Sequence, residues 1–150
     1  MSGLKKNMSN KKLIMVSGGF DPIHIGHIRL FKEAKALGNK LIVVLNNDHW
    51  LKKKKGVVFM TENDRKEIIE SLACVDEVII SNHLENPSDM SVCVELRQIK
   101  PDIFANGGDR WLNNIPEVTV CQEIGTQLIF GVGGNKLRSS SELLNNYVNK

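Results

Sequence analysis

The sequence predicts an α/β fold, a single domain built on a doubly wound, five-stranded parallel sheet. Three observations lead there. The 150 residues suit one domain. The short apolar runs are continuous rather than alternating, as in strands buried on both faces. Between these runs lie segments with apolar residues at helical spacing, which implies right-handed βαβ units.

Leu13-Ile14-Met15-Val16, closed by Ser17-Gly18-Gly19, reads as the first strand. Ile28, Leu30, Phe31, Ala34 and Leu37 follow at helical spacing until Gly38-Asn39 ends the helix. Leu41 to Leu45 is the second strand, stopped by Asn46-Asn47-Asp48, and Thr61 caps a helix carrying Ile68, Ile69 and Leu72. Val78-Ile79-Ile80 is the third strand. Ser88 is expected to cap a helix with Val92, Val94, Leu96 and Ile99, ahead of Pro101. Ile103-Phe104-Ala105 is the fourth strand, running into Asn106-Gly107-Gly108-Asp109. A short helix over 116–124, a fifth strand at Leu128-Ile129-Phe130 and a helix opened by Ser139 complete the alternation.

Composition narrows the class of protein. With 41% hydrophobic and 25% charged residues, the chain is neither disordered, collagen-like nor a disulfide scaffold. No apolar run approaches the roughly 18–20 residues of a membrane span. Residues 1–12 carry Lys5, Lys6, Lys11 and Lys12, and the apolar run after them ends at once in Ser17-Gly18-Gly19, too short for a signal-peptide core, so they read as a solvated tail before a domain at 13–150. A net charge of +3 is too small for a nucleic-acid scaffold. Cys74, Cys93 and Cys121 lack metal-ligand spacing; Cys74 and Cys93 are expected as buried free thiols in a reducing, cytoplasmic compartment.

In a parallel sheet, ligands bind beyond the carboxyl ends of the strands, at the topological switch point. Residues 17–27, 106–111 and 131–141 fall there and are expected to surround one pocket. The strongest signal is Gly18-Gly19-Phe20-Asp21-Pro22-Ile23-His24-Ile25-Gly26-His27. Its glycines permit a sharp turn and close approach of a bulky ligand. Gly26 and His27 open a helix whose N–H groups favour an anion. His24 and His27 would converge on that anion; helix-capping histidines and a metal site are the alternatives.

This segment resembles the (T/G)xFDxxHxGH signature of the nucleotidylyltransferase superfamily. The resemblance spans residues 13–148 and is nearest the small cytidylyltransferase-like branch, which includes glycerol-3-phosphate cytidylyltransferase and the heptose-1-phosphate adenylyltransferase domain. Class I aminoacyl-tRNA synthetases share HxGH, but this chain is too short and lacks a KMSKS loop. Asn46-Asn47-Asp48 with Lys52 to Gly56 matches the branch's (N/S)xD turn, lysines and LKG-like stretch. Arg65 matches its helix arginine, Asn106-Gly107-Gly108-Asp109 its GGD turn, and Arg138-Ser139-Ser140-Ser141 its closing serine motif.

The resemblance implies a Rossmann-like fold and attack by a substrate phosphate on the α-phosphorus of a nucleoside triphosphate, releasing pyrophosphate. It assigns His24, His27, Lys52 and Lys55 to catalysis. Gly18, Gly19, Phe20, Asp21, Gly26, Arg65, Gly107, Gly108, Asp109, Arg138, Ser139, Ser140 and Ser141 fall to nucleotide binding. It also implies Mg²⁺ held mainly by the nucleotide phosphates, with no protein metal site, and a homodimer.

Each match has a plainer reading. Lys52–Lys55 suits a solvated patch, Gly107-Gly108 a turn, and Ser139 with Glu142 a capping box. Trp111 suits packing better than base stacking, while His49 and His83 have no assigned role. Residues 131–139 replace the cytidylyltransferase RTEGIST stretch, leaving Lys136 or Arg138 to supply its charge. The branch as a whole leans towards CTP over ATP, with a sugar or polyol phosphate as acceptor. A heptose-type adenylyltransferase and a non-catalytic nucleotide-binding regulator are the alternatives.

Overall fold

A computed structural model describes residues 11–108 and 115–134. The tail to residue 10, Asp109, Trp111, Lys136, Arg138, the serines at 139–141 and the closing helix lie outside the described residues.

The elements run β1 (Leu13–Gly18), α1 (Ile25–Ala36), β2 (Lys40–Leu45), α2 (Asp48–Lys55), α3 (Glu62–Glu70), β3 (Glu77–Ile80), α4 (Cys93–Ile99), β4 (Ile103–Ala105), α5 (Glu117–Ile124) and β5 (Gln127–Ile129). Among the described residues they form the expected five-stranded parallel sheet, ordered β3-β2-β1-β4-β5. The order reverses between β1 and β4, so the switch point lies beyond Gly18 and Ala105.

Strand periodicity explains the two layers. Ile14 and Val16 of β1, with Leu41, Val43 and Leu45 of β2, pack with Phe31 and Ala34 of α1 and Ile69 of α3. Met15, Val44 and Phe104 belong to a second cluster with Leu96 of α4 and Val120 and Cys121 of α5. Successive strand residues point to opposite faces, so one continuous apolar run feeds both layers.

Three details differ from the sequence expectation. α2 was not anticipated: Asn47 caps it by accepting the Trp50 amide, and Gly56 ends it in the left-handed region. α4 starts at Cys93, not after Ser88. Asp89 Oδ1 accepts from the Ser91 amide and hydroxyl instead, a local turn that competes with helix, and Ser91 Oγ accepts from the Cys93 amide. Cys121 is the fully buried thiol, whereas Cys74 and Cys93 are half-buried; all three are free. No helix among the described residues is long and apolar enough to cross a membrane.

Candidate active site

The histidines are fixed by the start of α1. His24 is its N-cap; its Nδ1 accepts from the Gly26 amide at 3.1 Å, while its own amide donates to His27 Nδ1 at 3.2 Å. The capping alternative is therefore realised, and it has a chemical consequence. Each Nδ1 accepts a backbone proton, so the proton of each neutral ring belongs on Nε2. The rings stack with centroids 3.8 Å apart and planes inclined by 29°. Any side chain at Gly26 would put its Cβ 2.9 Å from His24 Cε1, so glycine is needed for the ring to fold over the helix end.

Phe20 lies beneath this pair, edge-on to His27 at 4.9 Å and to Phe31 at 5.0 Å. Burial, then the neighbouring His24 and Lys55, pushes the His27 pKa down to about 3. At neutral pH His27 is thus an uncharged hydrogen-bond donor rather than an acid–base group.

Asp21 and Arg65 are enclosed, with 1% and 0% of their surface exposed. Both Asp21 oxygens accept backbone amides at 2.7 Å, from Phe59 and Met60. Arg65 Nη1 donates to the carbonyls of Gly19 and Asn46 at 2.7 Å each, Nε to Met60 O at 2.9 Å, and Nη2 to Asp48 Oδ1 at 2.7 Å.

The lysines occupy the last turn of α2, where their charge suits the helix dipole. Lys55 is half-buried, and its Nζ lies 3.5 Å from the Asp21 carbonyl, on the histidine side. Lys52 is exposed, one turn earlier on the same face. Lys53 instead donates to Asn86 Oδ1 at 3.0 Å, and Lys54 is exposed.

The opposite wall is backbone. The Val132 amide donates to Asn106 O at 3.0 Å. A Cβ on Gly107 would lie 3.0 Å from Val132 O and 3.4 Å from Leu30 of α1. The described parts of 106–111 and 131–141 therefore meet each other and flank the helix opened by 17–27. Gly108 has a positive φ of 57°.

His49 is exposed. His83 has partners invisible in sequence: Nδ1 meets Ser81 Oγ at 2.7 Å, and Nε2 meets Ser91 O at 2.9 Å. Its carbonyl accepts from Asn47 Nδ2 at 2.8 Å, tying the loop after β3 to the cap of α2. Sequence reasoning missed this capped helix, although Asn47 and Gly56 bracket it. A cavity of about 170 Å³ lies in that loop, lined by Asn82, His83, Leu84, Asp89, Val94 and Glu95 among others, and neither His24 nor His27 lines it.

Of the carboxylates nearest the histidines and lysines, Asp21 is saturated by amides and Asp48 is paired with Arg65. Among the described residues no group of three or more His, Cys, Asp or Glu could hold a metal ion. These residues do not form a protein cage for Mg²⁺.

Residues 15–131 match the family described as cytidylyltransferase-like. The chain is 38% identical over 104 residues to the FAD synthase of Pyrococcus horikoshii, covering 68% of this chain and 67% of that protein. It is 35% identical over 108 residues to the bifunctional protein HldE of Helicobacter pylori, but these span 71% of this chain and only 22% of HldE. A lipopolysaccharide core biosynthesis protein from Thermoplasma volcanium superposes with a TM-score of 0.63 at 28% identity, covering 79% of this chain and 94% of that one. The pantothenate synthetase of Thermus thermophilus shares the fold alone, with a TM-score of 0.57 at 13% identity over 92% of this chain and 60% of that one.

Proposed function

Because the chain belongs to the cytidylyltransferase-like family, we propose that it transfers a nucleotidyl group to a phosphorylated small molecule at the His24–His27 site. The observation that carries this reading is the fixed tautomer of the pair. Two Nε2–H donors beside Lys55, each with its Nδ1 engaged by a backbone amide, can follow charge as it grows on phosphate oxygens.

The acceptor phosphate is already anionic at neutral pH and needs no general base. One of its oxygens forms a bond to the α-phosphorus, the α–β bridging P–O bond breaks, and pyrophosphate leaves with that electron pair. His24 and His27 would stabilise the α-phosphate oxygens, with Lys55 and Lys52 along the β- and γ-phosphates. Positioning and electrostatics suffice for this chemistry. A Mg²⁺ ion, when carried in on the nucleotide, neutralises phosphate charge. Gly107, Gly108 and 131–134 would line the nucleoside, with Asp109, Arg138 and the serines at 139–141 carried as binding residues by their motifs. Phe20, Asp21 and Arg65 would then serve from beneath the ligand rather than by touching it.

FAD, the product in the relatives' name, is an adenylyl group joined to a flavin phosphate, which favours ATP as donor and a flavin or sugar phosphate as acceptor. CTP is the second reading, favoured by the family's description. Isothermal titration with both nucleotides and Mg²⁺ decides. Tenfold tighter ATP, about 1.4 kcal/mol, supports adenylyl transfer, and the reverse supports cytidylyl transfer. Nucleotide binding with no pyrophosphate release from any acceptor would make the protein a regulator. Three free thiols, with Cys121 pushed up to about 11 by burial, suit a reducing compartment such as the cytoplasm. A homodimer is part of the same reading, and sedimentation velocity tests it.

A further inference from the structure

We propose that Asp21 and Arg65 are positioning residues, a buried clamp that sets the lysine helix α2 against the histidine loop. The proposal rests on the reading of Lys55 and the histidines as phosphate donors, and adds how their spacing is held.

The clamp grips α2 at both ends. At its start, the Arg65 guanidinium holds Asp48 Oδ1 and the Asn46 carbonyl, and the same Nη1 also holds Gly19 O on the histidine loop. Beyond its end, Asp21, three residues before His24, takes the amides of Phe59 and Met60. The two grips meet at Met60, whose N–H goes to Asp21 and whose carbonyl goes to Arg65. Between them, Gly19 leaves room for Leu51 and Trp50 of α2, whose atoms would lie 2.9 and 3.1 Å from a Cβ there.

Neither residue is placed to touch a ligand, since both are enclosed and engaged with groups from the loops they join. α2 itself buries Trp50 and Leu51, and its other bonds to Ser81, His83, Asn86 and Met90 hold it to the loop after β3 rather than to the histidine loop. Removing either grip should therefore move Lys55 relative to His24 and His27 before it unfolds the core.

A masking experiment tests this. Asp21→Asn, Arg65→Lys and Asp48→Asn would be assayed for nucleotidyl transfer with Lys55 present and in a Lys55→Ala background. Acting through Lys55, Asp21→Asn and Arg65→Lys should lower kcat/KM about 10²-fold in the first background, as a displacement of about 1 Å can. In the second the loss should shrink below about 3-fold, because the sites would no longer be independent. Asp48 is partly exposed, so Asp48→Asn keeps the test open if a buried variant fails to fold. In a Trp111→Phe background, Trp50 emission should shift to longer wavelength at temperatures where the variants remain folded. Equal losses in both backgrounds, or unchanged Trp50 emission, would overturn the clamp. The fluorescence arm needs no turnover, so an absence of transferase activity would sink the proposed function without deciding this one.

Discussion

The two halves of the sheet hold their loops by different means. In the amino-terminal half, the loops after β1 and β2 are pinned by buried polar side chains: Asp21, Arg65 and Asn47 all bond to backbone groups. In the carboxyl-terminal half, the described parts of the turns after β4 and β5 are joined by backbone bonds, Asn106 to Ile129 and Val132 to Asn106, with Gly108, Gly131, Gly133 and Gly134 at positive φ. Side-chain bonds there run from Asn106 Nδ2 to Phe104 O and from the Gly133 amide to Glu33 of α1. On the proposed reading, this difference would separate rigid chemistry from adaptable recognition. Groups that meet a transition state need fixed spacing, whereas a wall made of backbone can change its residues between relatives without disturbing them.

The largest effect should come from the rigid half. Alanine at His24 or His27 should cut kcat about 10²–10³-fold, the loss expected for one preorganised donor. Steady-state kinetics beside thermal unfolding checks this: full activity, or collapse of the fold, would break the contrast. Next come the lysines. Alanine at Lys55, and less strongly at exposed Lys52, should weaken turnover well beyond alanine at Lys53 or Lys54. Equal, salt-sensitive losses at all four would reveal a diffuse patch instead.

The adaptable half makes a stability prediction. Gly133 has a φ of 91° and would place a Cβ 3.1 Å from Leu30 Cα, while Gly131 has a φ of 72° and open space. Gly133→Ala should destabilise by about 1–3 kcal/mol and more than Gly131→Ala, because it adds a clash to a strained backbone. Chemical denaturation of both variants would show whether this wall tolerates side chains.

A pH slope in stability is also expected. His27 titrates near 3 in the fold against about 6.5 when unfolded, so between those values the unfolded chain binds more protons. Its contribution to stability is complete above about pH 6.5 and declines as pH falls towards 3. His27→Gln should flatten that acid limb in denaturation curves, and an unchanged slope would contradict a neutral, enclosed ring.

Much of the fold behind this contrast is legible in the sequence. Continuous apolar runs mark every strand, and their alternation with helices predicts that 17–27, 106–111 and 131–141 meet beyond the strand ends, as their described parts do. The histidine spacing also announced its helix start. The roles of Asp21 and Arg65 were not legible, because their partners are backbone groups distant in the chain; Arg65 and Gly19 are 46 residues apart. α2 escaped notice because four lysines and two buried residues do not make a helical apolar stripe. Ser88 misled for the opposite reason: it has the chemistry of a cap, but Asp89 draws the chain into a turn first.

The most direct test of nucleotidyl transfer at this site is pyrophosphate release from ATP and CTP. The acceptors would be flavin mononucleotide, heptose 1-phosphate and glycerol 3-phosphate, with the wild-type chain and His24→Ala/His27→Ala side by side. The account predicts that one donor–acceptor pair yields pyrophosphate in step with the joined product, and that the double variant loses this while still folding. Release that persists in the double variant would contradict it.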